Sequence, residues 1–421
     1  MNGMLYVYKS MPNKLQHSWR TNIIFMLMLI MLAALFFSRA LLSISMMAFV
    51  AVSFLHADSK GQFRQFFSSP LLWGMSLLFF IPLLTGLWSN DKTQWLAILQ
   101  IKLPLLFLPL AFAGPMPFSK KQWYWVAYFF IALITGATLC CVINYIPDAA
   151  SVNVGYLKAK SMITPLENDH VRFSWMVSVS ILLAGWIWIR EREKQKIRTW
   201  ILLIVTIWLI IFLHILAART GLFSFYIIVL MLAFWLVLKK IKWQYGIALL
   251  FLLILLPVTA YFTIPTFHNR VKYIVYEFDY FKQANYQPGS NDGMRIISLK
   301  AGWNSMQQQP VTGVGFGDIG TGSKQWYSAN YPQMIEADKI LPSSEWMMYG
   351  AGAGIPGIIL FTAIMLIPFF IAIKNKLLWW MLNETAAFSF LFDIGLEVQF
   401  GVFIYAFIVL WWWKWLKTEK I

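Results

Sequence analysis

Twelve apolar stretches, each about as long as a helix needs to cross a bilayer, follow one another along this chain and decide what it can become. They fall at 21–38, 40–56, 71–88, 95–113, 122–145, 171–190, 199–217, 220–238, 243–263, 345–373, 377–394 and 398–416. Hydrocarbon offers no water to an exposed backbone, so segments of this length fold as helices that satisfy their own N–H and C=O groups. The expected fold class is an all-α integral membrane protein of about twelve transmembrane helices, with one long extracytoplasmic loop containing short helices. Charge supports this reading. Asp, Glu, Lys and Arg make up 12% of the 421 residues, against about a quarter in a soluble domain.

The cations orient the bundle. With the N-terminus in the cytoplasm, the inner loops hold Lys60 and Arg64, Lys120 and Lys121, the run from Arg190 to Arg198, Lys239 to Lys242, and Lys374 and Lys376. The short outer connections hold only Arg39, Lys92 and Arg219. Both termini are therefore expected in the cytoplasm, under the positive-inside rule. The chain divides into a cytoplasmic tail 1–20, helices over 21–263, an extracytoplasmic loop 264–344, three more helices over 345–416, and a tail 417–421. The net charge of +16 belongs to those loops, and nucleic acid is not an expected partner. FFSRALLS after the first stretch offers no small-residue cleavage site, so that helix is read as uncleaved. The Trp411–Trp413 run before Lys414 reads as an interfacial anchor. Cys140 and Cys141, adjacent within a helix, point apart and cannot readily bridge.

Ionisable groups at membrane depth are costly and mark function by default. Here they collect toward the outer end. Lys102 lies about two turns below the outer end of the fourth helix, Arg172 opens the sixth, Arg219 fills the tight turn AARTG, and Arg295 lies in the long loop. Ser343, Ser344 and Glu345 begin the tenth helix, and Asp393 and Glu397 cap the last hairpin. Cations gathered there suit an anionic headgroup, above all a pyrophosphate. Arg219 leads, because a guanidinium presents a planar fork to phosphate oxygens and stays charged when partly dehydrated. The plain alternative for Arg219, Arg172 and Lys102 is a side chain snorkelling to the interface.

The run Gly313 to Gly317 reads as a turn, because neither the strand nor the helix of a phosphate loop flanks it. The histidines, at 17, 56, 170, 214 and 268, show no metal-ligand spacing and no DxD pair accompanies them, so no metal is expected. His214 reads as an interior residue, while His170 and His268 stand at the outer face, as bases or as plain loop histidines. Ile296, Leu299, Trp303 and Met306 recur at helical spacing and predict an amphipathic helix against the membrane or the bundle.

Four separated pieces then carry a resemblance. AARTGLFSF, GMRIISLKAGWNSMQQQPVTGVGFGD, LPSSEWMMYGAGAGIPGIILF and FLFDIGLEVQFGVFIYAFI, in that order, resemble the O-antigen ligase and O-antigen polymerase superfamily of bacterial membrane glycosyltransferases. The resemblance implies an inverting, metal-independent enzyme without a cofactor, working at the outer face of the inner membrane. It would take a glycan from undecaprenyl pyrophosphate and pass it to lipid A–core sugar, as a ligase, or to another lipid-linked repeat unit, as a polymerase. A lipid-linked glycan donor, a saccharide acceptor and membrane lipids are the partners it implies. By position, Arg219 corresponds to the family's pyrophosphate-contacting arginine and Arg295 to its loop arginine; depth and place add Lys102 and Arg172.

One departure stands out. Ligases of this family usually carry His-Asn after the proline that begins the following helix, whereas here Pro342 precedes Ser343-Ser344. Serine is a poor base near neutral pH, which leaves Glu345 and His268 as candidates for the catalytic base. The alternative of another class is a non-catalytic transporter or flippase of lipid-linked glycan, with polar groups spread through a cavity facing both sides.

Overall fold

The computed structural model describes residues 14–193, 196–239, 243–281, 286 and 288–418. The outermost parts of both expected tails, together with Lys194, Lys240, Lys242 and the side chain of His17, lie outside the described residues. Among the described residues every regular element is helical. Nine helices are long and apolar enough to cross a membrane, and the pair Ser59–Ser68 and Pro70–Thr85, bent by 83°, makes a tenth. All twelve expected stretches fall on helices, but, the bent pair aside, two of those helices are short, Arg39–Ser53 with 15 residues and Lys376–Phe392 with 17. They reach about 22 and 26 Å, against a hydrocarbon core of about 30 Å. The chain is thus a multi-pass membrane protein with nine or ten full-length candidate spans. The count of twelve took turn residues into the helices: Ser38 caps the second one by accepting from Leu41 N, and Phe54 already ends it.

Polar residues start the helices that carry the site. Asp91 accepts from Gln94 N, Ser119 and Gln122 form a capping box, and Asp169 accepts from Arg172 N. Each satisfies N–H groups that the first turn leaves without partners.

The last helix, Gln399–Thr418, is the central post of the bundle. Trp411, Trp412, Trp413 and Trp415 are at most 2% exposed. The Trp415 ring meets Trp186 at 5.0 Å and Tyr124 at 5.5 Å, and Trp411 meets Phe130 at 5.9 Å. The expected interfacial anchor is therefore a packed core, because a helix enclosed by protein points its rings at neighbours instead of headgroups. At the end away from the long loop, Arg20 donates to the Val52, Ser53 and Pro115 carbonyls, and Lys414 to those of Phe112 and Gly114. That end is closed.

The described residues of the long loop fold over the opposite end and include three α-helices, Pro265–Phe281, Asn291–Gln308 and Ile319–Asn330. The expected amphipathic helix is present, but its packed face differs. Ile297, Ser298, Ala301, Gly302, Ser305 and Met306 face inward, whereas Ile296 and Trp303 are 40% and 49% exposed. Small residues allow close approach: a Cβ on Gly302 would stand 2.5 Å from Met347 Cγ. The glycine run is indeed a turn. Gly313, at φ +64°, leaves 2.4 Å between its missing Cβ and Ala353 N. Val314 N donates to Ala351 O at 2.9 Å, where the Glu345–Phe370 helix breaks at Ala353 and Gly354.

Candidate functional site

Arg219 owes its position to a strained turn. Only Ala217 and Ala218, both buried, join Lys196–Leu216 to Arg219–Leu238, and Ala217 takes φ +48°. A non-glycine residue in the left-handed region costs roughly 1–2 kcal/mol, which the packing around it offsets. Two residues on, Gly221 N donates to Ser174 Oγ at 3.1 Å and Gly221 O accepts from Ser178 Oγ at 2.7 Å. The Arg219 helix is thereby fixed against the first turns of His170–Glu191.

The Arg219 fork is filled by a carboxylate. Its Nη1 and Nη2 donate to Asp292 Oδ2 and Oδ1 at 2.5 and 2.6 Å, a bidentate pair. Asp292 lies in the first turn of Asn291–Gln308, whose cap is Ser290. Behind it, Glu277 accepts from Ser290 Oγ at 2.8 Å and from the Tyr273 hydroxyl. Burial works to raise the Asp292 carboxyl, but the guanidinium outweighs it and holds the group below the usual carboxylate range. Glu277 is pushed up by burial and by its hydrogen bond with Asp292.

This pair clamps the loop helix to the bundle. A depressed carboxyl stabilises the fold fully above its unfolded pKa of about 3.9, and the contribution is lost as pH falls through the folded value. Resistance of the 286–296 segment to limited proteolysis is therefore expected to survive acidification to about pH 5. In Asp292→Asn the same segment is expected to be cut faster at neutral pH, the exposed part of the pair being worth about 1 kcal/mol.

Two further guanidiniums flank Arg219 and have no carboxylate partner among the described residues. Arg295 Nη1 donates to Phe392 O at 2.9 Å. Arg270, which is 6% exposed, donates to Lys160 O and Ser161 Oγ and stands 4.8 Å over the Tyr156 ring. Burial and the charge of Arg219 push both below the usual arginine value. Arg172 is neutralised instead: it pairs with Asp169, and with Asp393 at 3.1 Å, and donates to Ile394 O. Burial pushes the Asp393 carboxyl up against the pull of Arg172. Beside this pair is a cavity of about 20 Å³ lined by Arg172, Ser389, Asp393 and Tyr405, room for about one water.

The half-buried His170 follows Asp169 directly and opens its helix, with its ring in the electrostatic field of Arg270, Asp169 and Arg295. His268 lies elsewhere. Thr266, Arg270, Tyr273 and Glu277 share the buried face of Pro265–Phe281. His268 is about 160° round that helix from Arg270, with its ring on Tyr261 at 4.5 Å.

A second layer lies deeper. Lys102, expected beside the phosphate, is fully buried, and its Nζ donates to Glu397 Oε1 at 2.6 Å and Leu396 O at 3.0 Å. Glu345 is also fully buried, accepting from Leu396 N at 2.5 Å, and its Oε2 has no partner. The turn Gly395–Glu397 folds into the bundle and draws both groups away from the surface. Ser343 has become a packing contact. Its hydroxyl meets Ser298 Oγ at 3.0 Å and Arg295 O at 3.3 Å, where the long loop docks.

The sequence reading overlooked Arg270, Glu277 and Asp292. The spacing of 266, 270, 273 and 277 on one helical face was the available signal.

Residues 204–362 match the family model for O-antigen ligase. The chain carries that family's domain. The match runs from within Lys196–Leu216 to within Glu345–Phe370, and so takes in Arg219, His268, Arg270, Asp292, Arg295 and Glu345 of the O-antigen ligase domain, while Lys102, His170 and Arg172 lie before it. No curated protein matches the chain.

Proposed function

We propose that this protein transfers a glycan from undecaprenyl pyrophosphate to a saccharide acceptor at the outer face of a bacterial inner membrane, with the loop end outward and both termini cytoplasmic. The observation that carries the reading is the arginine focus. Arg219 holds a bidentate oxyanion, Asp292, while Arg270 and Arg295, without an ion-pair partner among the described residues, lie within its field. A carboxylate on two parallel N–H donors occupies the geometry that a phosphate takes on arginine. The donor's pyrophosphate is read as displacing Asp292.

In the reaction, an acceptor hydroxyl oxygen bonds to the anomeric carbon as the bond from that carbon to the phosphate oxygen breaks. Negative charge grows on the departing pyrophosphate, which leaves on its lipid, and preorganised guanidiniums stabilise that charge as it develops. The lipid anchor limits the donor's freedom and helps to orient it. The acceptor proton needs a base. Of the titratable groups near the arginines, His170 fits best, because Glu345 is sealed beneath the hairpin and His268 faces away. His170→Ala is expected to lower kcat about 10²- to 10⁴-fold and to remove the acidic limb of the pH–rate profile, with His268→Ala unchanged.

The decisive test uses purified protein in lipid nanodiscs with a lipid-pyrophosphate-linked glycan and delipidated core oligosaccharide. Transfer with release of undecaprenyl pyrophosphate, undiminished by chelators, is expected. Failure to consume the donor with that acceptor or with a second lipid-linked glycan would overturn the reading. Product on core marks a ligase, and product on the second lipid-linked glycan a polymerase. The packed aromatic centre weighs against a flippase.

A further inference from the structure

The large apolar side chains that the loop helix turns outward line a groove of about 470 Å³. That volume falls within the range of about 300–1,000 Å³ typical of ligand sites. Trp303, from Asn291–Gln308, forms one wall and Trp326, from Ile319–Asn330, the other, with Met347 below. The Trp326 ring is braced by Tyr331 at 5.6 Å and Tyr327 at 5.8 Å. Lys300, Asn304 and Gln307 recur along the same wall. Among the described residues, none of these three side chains and neither indole N–H has a hydrogen-bond partner in the protein. Ile296, where the groove begins, follows Arg295 directly, and the wall runs about 18 Å from Arg295 to Gln307 at 1.5 Å per residue.

We infer that this groove binds the non-reacting sugars of the saccharide acceptor. The assignment to the acceptor rests on the transferase reading; the binding of a saccharide does not. A sugar ring offers a face of C–H groups and a rim of hydroxyls. The negative face of an indole attracts the C–H groups, and the amides of Asn304 and Gln307 supply both donors and acceptors for the rim. An acyl chain would gain nothing from Lys300, Asn304 and Gln307 and would strip their water without compensation. A phosphate would call for a fork of arginine donors, and the wall holds a single lysine. The groove also explains why Trp303 stays exposed on a helix that had small residues available for its packing.

The test measures binding of delipidated core oligosaccharide to the full chain in nanodiscs by saturation-transfer NMR, and its KM in the transfer assay. Trp303→Leu is expected to weaken binding about two- to tenfold, the value of one good ring contact, and the double variant Asn304→Ala/Gln307→Ala is expected to weaken it as well. Trp303→Phe, which keeps an aromatic face, is expected to stay close to the parent. Arg219→Lys, which keeps an ion pair with Asp292, should bind the oligosaccharide normally while its transfer falls. Acceptor KM rises with the groove variants, and kcat and donor KM do not. Absence of binding to the parent, normal binding to Trp303→Leu, or a rise in donor KM alone would overturn the inference. If binding depends on Trp303 but no glycan is transferred, the groove stands and the transferase reading falls.

Discussion

Arg219→Lys is expected to lower glycan transfer about 10²- to 10³-fold, the loss that follows removal of one preorganised donor to a developing oxyanion, while the protein stays in the membrane at its normal level. Lysine keeps the charge and discards the fork. Arg219 spends both terminal nitrogens on the two oxygens of Asp292, and an ammonium on a flexible stem reproduces neither the plane nor the second bond. The helix start is held by Gly221 against Ser174 and Ser178, so the backbone has no reason to move and the defect should lie in turnover. Arg219→Ala should be at least as severe. Arg295→Lys should be milder, because Arg295 makes a single hydrogen bond to Phe392 O. Full activity in Arg219→Lys would show that charge alone suffices and that the fork does not matter.

Lys102→Met should act on stability instead. Its ammonium is fully buried and bonds Glu397 and Leu396 O. Taking away one partner of a buried pair leaves the other charge uncompensated, at a cost of about 3–5 kcal/mol. Glu345 worsens the loss, since its carboxyl is fully buried and bonds the same Leu396 through the backbone N–H. The expected result is a large fall in the melting temperature of the purified protein and a reduced level in the membrane. Adding Glu397→Gln should restore much of both, because replacing both members of a buried pair is far less costly than removing one. A Lys102→Met protein of normal stability and no activity would instead place Lys102 at the substrate, as its depth in the helix first implied.

How far the residues alone spoke depends on what each one needed. Helices were legible, since apolar runs of this length have no other fold in lipid. Their ends were less so: Arg39–Ser53 stops short because Ser38 and Phe54 end it through local bonds that hydropathy does not register. The position of Arg219 was readable, because a two-residue turn between two helices leaves it nowhere else to go. Lys102 was harder to place for the opposite reason. Its partner Glu397 lies 295 positions away, and no local pattern says that the closing turn dips into the bundle. The tryptophan run near the C-terminus went wrong similarly, because an anchor and a core helix share a composition and differ only in what surrounds them. Asp292 and Glu277 were lost among ordinary loop acids until the loop folded down on Arg219.

The aromatic post at the centre of the bundle sets a limit on what this protein can do alone. Its rings are buried against neighbouring helices, and in the proposed transfer donor and acceptor therefore meet on the side of the arginines. On the proposed reading, the glycan reaches that side by separate machinery before the reaction begins.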